Sequence, residues 1–289
     1  MKAPLFIVGT GRSGTTILFE LITCHPRVGW PAPMVGRWPR KLWLNRLYFR
    51  ILEWPVIGPW VHQRMGLTES YSFWDSLFPG FSLPCRDLLA SDVTPWAARA
   101  IRNALAQLLP ARTRRDTLVM KITGWPRIGF LREIFPEAKF IHIYRDGRAV
   151  ASSLMRMSWW WGWRGPENWR WGPLPEKYQQ AWEASGRCFA VLAGIQWLIL
   201  MDAFEQAIAK AGESVLSVSY ERLCGQTQDV MKEICEWSGL GWNEQMARAI
   251  GAYQLRSAND KWRRDLNPVQ QERLNKLLAP RLKALGYEV

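Results

Sequence analysis

Histidine, cysteine and acid are scarce in this 289-residue chain. The three histidines, His25, His62 and His142, form no H-x-x-x-H pair. The five cysteines (Cys24, Cys85, Cys188, Cys224 and Cys235) stand far apart with no C-x-x-C. Such spacing offers neither a zinc site nor a disulfide framework and fits a reducing compartment, so a cytoplasmic protein without a catalytic metal is expected. Only 25 Asp and Glu face 38 Lys and Arg, which leaves a formal charge of +13. A balance that basic points to an anionic partner: a nucleotide, a nucleic acid, a sulfated or phosphorylated substrate, or a membrane surface. A long apolar run is lacking too. The longest, "CFAVLAGIQWLILM" from Cys188 to Met201, is closed by Arg187 and Asp202 and reads as a buried helix rather than a membrane span. No small-residue cleavage site follows the first apolar run, so no secretory leader is read. Repeats, linkers and low-complexity tails are missing as well, and one domain over 1–289 is expected.

What is present alternates. "LFIVG", "DTLVMKIT", "AKFIHIY" and "ESVLSVSY" read as strands, and the third is a continuous apolar run suited to a buried parallel position. Between and after them lie the helical patterns "TTILFELITC", "WAARAIRNALAQLLP", "IGFLREIFP", "RDGRAVASSLM", residues 178–211 broken by glycine, "TQDVMKEICEWSGL" and a final basic helix. Strands alternating with helices predict an α/β fold, a parallel central sheet flanked by helices in a three-layer sandwich. Residues 31–95 and 156–180 carry little periodicity and read as elaborations.

The first strand runs into "GTGRSGTT". Gly9, Gly14 and Thr16 keep the register of a G-x-x-x-x-G-K-[ST] phosphate loop, but Thr15 stands where the lysine would be. Backbone N–H groups of a glycine turn and the start of a helix make an anion site. Ser13, Thr15 and Thr16 add hydroxyls, and Arg12 adds a forked charge suited to phosphate or sulfate. The missing lysine argues against ATP hydrolysis. An ordinary strand–turn–helix built of small residues remains the plain alternative.

A second segment, "KFIHIYRDGRAVASSL", puts Arg145 at a strand end, where α/β sheets bind ligands, and Ser153 eight residues on in the next helix. The two could grip one phosphate from two sides. Equally, Asp146 and Gly147 could simply make the turn, with Arg145 and Arg148 solvated.

Together, "GTGRSGTT" and "FIHIYRDGRAVASS" resemble the two phosphate motifs of sulfotransferases that use 3′-phosphoadenosine-5′-phosphosulfate (PAPS). "LVMKIT", "SVSYERL" and "NDKWRRDL" are similar, in the same order, to that family's lysine-bearing strand, its Tyr-Glu strand end and its late basic loop. The resemblance implies a P-loop-kinase-like fold with tryptophan-rich insertions. It also implies transfer of a sulfuryl group from PAPS to a hydroxyl without a metal, leaving adenosine 3′,5′-bisphosphate. Arg12, Ser13, Gly14, Thr15 and Thr16 would hold the 5′-phosphosulfate, and Arg145 and Ser153 the 3′-phosphate. Lys121 and Arg12 would lie near the moving group, Tyr220 against adenine, and Lys261, Trp262 and Arg263 over the nucleotide.

Two positions that carry a base in parts of the family are empty of one here: Thr123 two residues after Lys121, and "HPRVGWPAPM" after the first helix. Glu69 in "TESYSFWDSLF" is the first choice and Asp92 in "LLASDVTPW" the second, with Asp75 and His62 behind them. Either leading carboxylate could instead serve the helix that follows it. Six of the nineteen tryptophans crowd "WWWGWRGPENWRW", and six more lie between Trp30 and Trp74. Rings with polar tips suit sugar faces, phenols or lipid boundaries. The reading is thus a transferase with a small-molecule, glycan or lipid acceptor, no nucleic-acid partner, and peripheral contact with a membrane. A P-loop kinase or NTPase and a non-enzymatic polyanion binder are the alternatives.

Overall fold

Strand β1 (Leu5–Gly9) is buried at every residue. It lies at the centre of a five-stranded sheet whose order is β2-β3-β1-β4-β5 and whose pairings are all parallel. The other strands are β2 (Val28–Gly29), β3 (Thr117–Thr123), β4 (Lys139–Tyr144) and β5 (Val215–Ser219). The computed structural model describes residues 2–58, 60, 61, 66, 68–110, 114–253 and 255–289; His62 lies outside the described residues.

Helices cover both faces. In chain order they are α1 (Thr15–Thr23), α2 (Pro33–Arg37), α3 (Trp43–Leu52), α4 (Tyr71–Leu77), α5 (Pro95–Leu108), α6 (Ile128–Ile134), α7 (Gly147–Met155), α8 (Glu176–Ala184) and α9 (Phe189–Ala211). They continue with α10 (Tyr220–Gly225), α11 (Thr227–Ser238), α12 (Glu244–Gly251), α13 (Trp262–Asp265) and α14 (Pro268–Ala284). The pleat sorts β1 between the layers, since successive side chains leave opposite faces. Leu5 and Ile7 join a core with Leu18, Phe19 and Ile234, while Phe6 and Val8 join another with Ile101, Leu105 and Phe130. That is the predicted three-layer arrangement. A third apolar cluster unites α7, α9 and α14 with Trp160 and Trp169 of the aromatic segment. Helix α9 is long and apolar enough to cross a membrane, but here most of it packs inside the protein, as the bounded run predicted. The helical stretch over 178–211, expected to be broken by glycine, is two helices parted near Gly186, which has φ 64°.

Because every pairing is parallel, the carboxyl ends of β1, β3, β4 and β5 share one edge. The chain first winds to one side of β1 and then to the other. This opens a crevice above Gly9, the kind of place where open α/β sheets bind ligands.

The segment before α4 is held by one buried side chain. Asn45 of α3 accepts from Ala32 N at 2.6 Å and donates to Trp30 O at 3.1 Å and Leu108 O at 2.8 Å. Asn45→Ala leaves three buried backbone groups without these bonds, each loss costing about 1–3 kcal/mol. Urea unfolding should show a loss of about 3 kcal/mol; a loss within error of zero would mean α3 is held by packing alone.

Candidate active site

The loop after β1 is shaped by glycines that admit no substitute. A Cβ on Gly9 would stand 2.5 Å from Ile143 O, and one on Gly14, at φ 98°, 2.5 Å from the Tyr220 ring. Arg12 itself lies at φ 65°, an uncommon conformation for a residue with a Cβ. No side chain caps α1, so its first N–H groups face the crevice edge with donors to spare. These features fit an anion seated on the helix end. Ser13 Oγ is fully buried and makes no hydrogen bond, so its place is inside the loop rather than on its rim.

The two motifs singled out in the sequence meet directly. Arg12 Nε donates to Ser153 Oγ at 2.9 Å, bridging the β1 loop to α7. Arg145 leaves the end of β4 and stacks over the Tyr220 ring at 4.3 Å. It donates to Arg12 O, Ala258 O and Asn259 Oδ1 at 3.2, 2.9 and 2.9 Å. A guanidinium has five N–H donors, so two remain for an anion. Behind Arg145 stands Glu221. Its carboxylate accepts from Asn259 Nδ2 at 2.7 Å, Tyr287 O–H at 2.7 Å and the Asp146 N–H at 3.2 Å. Asp146 and Arg148 do more than form a turn: they pair at 2.7 Å in a buried bridge.

On the other side of β1, Ile7 pairs in register with Lys121. Lys121 is 5% exposed; its Nζ donates to Thr16 Oγ1 at 2.9 Å and pairs with Glu69 at 3.2 Å. Thr16 and Glu69 line the cavity, with Lys121 directly behind them. The same cation opposes burial at Glu20, whose carboxyl is nonetheless pushed above the usual range by desolvation. Glu69 caps nothing: α4 begins two residues later, behind Ser70. Tyr71 fixes the wall beside it, donating to Thr123 O at 2.7 Å and accepting from Thr123 N at 3.0 Å. Burial and the Glu69 charge hold its phenol well above the ordinary value.

Asp92 lies elsewhere. It accepts two bonds from Arg86, at 2.8 and 2.7 Å, and one from Leu89 N. Those bonds to Arg86 pull its carboxyl down to about 2. Asp75 is tied to Ser82. Neither carboxylate lines the cavity. Trp262 also turns away from it, buried in the third core with the Arg148 guanidinium 4.8 Å from its ring; Lys261 and Arg263 are exposed on either side. From that late segment it is Ala258 and Asn259 that reach Arg145.

The cavity encloses about 770 Å³. Five of the six tryptophans in 159–171 border it, and Trp163 does not. Trp160 and Trp169 are buried and tied, Nε1 to Gln196 Oε1 at 2.8 Å and to Gly172 O at 2.7 Å. Trp171 faces Trp125 at 6.0 Å, and Trp161 lies between the guanidiniums of Arg164 and Arg170. The segment is therefore both packed core and cavity wall. Arg127, buried against the Phe81, Leu83 and Arg86 carbonyls, props the opposite wall. Sequence reading did not single out Tyr71, Arg170, Glu221, Asn259 or Tyr287. Glu221 and Asn259 stand inside the quoted "SVSYERL" and "NDKWRRDL", one and two residues from the chosen Tyr220 and Lys261.

The strand order and the glycine loop at the end of β1 define a P-loop-like α/β protein. The sulfotransferase family matches over residues 4–244, and the chain belongs to that family. Among relatives, it is 28% identical over 173 residues to an omega-hydroxy-beta-dihydromenaquinone-9 sulfotransferase, Stf3, of Mycobacterium bovis. The match covers 53% of this chain and 45% of that protein, less than half its length. The fold is similar to sulfotransferase STF9 of Mycobacterium avium (TM-score 0.59, 18% identity, 99% of this chain and 77% of that one). It is also similar to the sulfotransferase domain of the curacin biosynthetic pathway (TM-score 0.53, 13% identity, 100% and 99%).

Proposed function

We propose that the protein transfers the sulfuryl group of PAPS to the hydroxyl of an apolar acceptor, a lipid alcohol or phenol. The observation that carries this is the convergence of the uncapped α1 loop, Arg12, Ser153 and Arg145 on one side of β1, with Lys121, Thr16 and Glu69 on the other. The first group holds the 5′- and 3′-phosphates of the nucleotide, and the Tyr220 ring flanks it. In the second group Thr16 and Glu69 face the reacting end of the acceptor with Lys121 behind them, and the acceptor's body rests on the tryptophan wall.

In this chemistry a bond forms from acceptor oxygen to sulfur as the bond from sulfur to the 5′-phosphate oxygen breaks. Negative charge grows on the departing phosphate, and fixed donors aimed at it lower the barrier. Arg12 and the α1 N–H groups supply those donors. Lys121 holds the Thr16 hydroxyl and the Glu69 carboxylate and puts a positive charge behind both. Glu69 takes the acceptor proton; it alone of the weighed carboxylates borders the cavity. No step in this scheme calls on a metal.

Two measurements test it. Adenosine 3′,5′-bisphosphate at a hundred times its Kd should add about 2.7 kcal/mol of stability. With chelator present, that should read as a rise in Tm of roughly 5 °C. A rise with ATP–Mg²⁺ alone would favour a kinase. Glu69→Gln should lower kcat about a hundredfold or more while leaving bisphosphate affinity nearly unchanged, the size typical for losing a general base. Unchanged turnover would remove Glu69 from the reaction. Labelled donor offered to lipid alcohols, phenols and simple sugars in parallel identifies the acceptor class; sulfation of the sugars alone would overturn the apolar reading.

A further inference from the structure

The tryptophans between Trp30 and Trp74 are not used by the site. Trp30 and Trp74 are buried, but Trp38, Trp43, Trp54 and Trp60 are 44, 56, 57 and 62% exposed. Large rings rarely face water in such density, and a run of exposed apolar side chains marks a contact surface.

Helix α3 shows how the surface is built. Its inner face is Asn45, Tyr48 and Phe49, anchored as described above. Its outer face is Trp43, Arg46, Leu47 and Arg50, spaced at i, i+3, i+4 and i+7, all exposed. The stripe continues through Trp54, and Val56 beyond it is 85% exposed. Between residues 37 and 54 the chain places five cations, Arg37, Arg40, Lys41, Arg46 and Arg50, against one carboxylate, Glu53. All six charged side chains are exposed.

We infer that this surface docks the protein on an anionic lipid bilayer, with the Trp43–Trp54 stripe seated at head-group depth and the arginines and lysine on lipid phosphates. The mixture of residues selects the occupant. Indole rings settle at the boundary between head groups and hydrocarbon, and interleaved cations gain from a negative surface within a Debye length. A second copy of the chain would bring two patches of the same sign face to face. A dry protein interface would have to bury Arg46 and Arg50 beside Trp43 and Leu47, at the cost of desolvating them. Just before this surface, α2 packs on the segment that carries Glu69: a Cβ on Gly36 would lie 3.7 Å from the Cα of Ser70. Docking here does not depend on the reaction, so its test leaves the proposed function standing or falling separately.

The test is flotation of the full chain with vesicles, without donor or acceptor. Vesicles of phosphatidylcholine with about one third phosphatidylglycerol should carry the protein, and pure phosphatidylcholine vesicles should carry much less. Each cation near the surface is worth about fivefold in affinity. Arg46→Gln with Arg50→Gln should therefore weaken binding roughly twentyfold, and high salt should do the same to the wild type. Trp43→Gln with Trp54→Gln should weaken it by at least tenfold at constant charge. All four substitutions are on exposed residues outside the cavity, so far-UV circular dichroism and Tm should match the wild type and report that the variants are folded. Failure to bind the anionic vesicles overturns the inference. So does binding that the variants leave unchanged, or sedimentation showing a dimer that the same substitutions dissociate.

Discussion

Lys121→Ala is expected to lower kcat by about a hundred- to a thousandfold, the scale of losing one fixed electrostatic contact to a transition state. The Kd for adenosine 3′,5′-bisphosphate should move by less than threefold. The split follows from where the side chain lies. Lys121 touches Thr16 and Glu69 and none of the groups around Arg145. Its loss leaves Glu69 without a partner, but Glu69 has a 28% exposed side chain and water can take the place of the ammonium. The fold should therefore survive, which circular dichroism and Tm can verify. Lys121→Met keeps the volume of the stem without the charge, and it should be as slow as the alanine variant. If kcat and Kd fall together, Lys121 belongs to nucleotide binding instead.

Arg145→Ala should show the opposite split: a rise in Kd for the bisphosphate of about a hundredfold or more, with kcat at saturating donor changed far less. Truncating one partner of a buried, hydrogen-bonded charge typically costs 2–5 kcal/mol. Here the guanidinium also ties the β1 loop, through Arg12 O, to Ala258 and Asn259. Two roles are lost at once. Arg145→Lys separates them, because an ammonium restores the charge without the fork. It should recover part of the affinity but not all of it. Isothermal titration measures both. A bisphosphate affinity equal to wild type in Arg145→Ala would displace the nucleotide from this side of β1.

The parallel sheet was legible because β1, β3 and β4 are buried on both faces and so read as mostly apolar runs, with Lys121 and His142 the polar residues inside them. Gly9 and Gly14 were legible because their positions tolerate no side chain. The pairing of Arg12 with Ser153 was legible only as two motifs that had to converge. What escaped was set by distance along the chain. Glu221 reaches Asn259 across 38 residues and Tyr287 across 66, and no periodicity records such contacts. Trp262 shows the same limit from the other side. A tryptophan within a basic loop reads equally well as a nucleotide cover or as an anchor, and burial against Arg148 decides for the anchor. The aromatic segment 159–171 has no regular period, so its double service as core and wall could be seen only once Gln196 and Gly172 were placed beside its indoles.

The bond from Tyr287 to Glu221 also sets an order of events during synthesis. Ribosomes add roughly 5–20 residues per second, and domains begin to fold from the amino end. The glycine loop is thus made roughly 14–55 seconds, and Arg145 roughly 7–28 seconds, before Tyr287. Until it arrives, Glu221 lacks one of its three donors, and Asn259 and the Asp146 turn hang on a carboxylate that nothing pins from behind. A nascent chain would have Arg12, Ser153 and Arg145 in hand yet hold them loosely. The proposed donor site is completed by a residue that contacts no part of it.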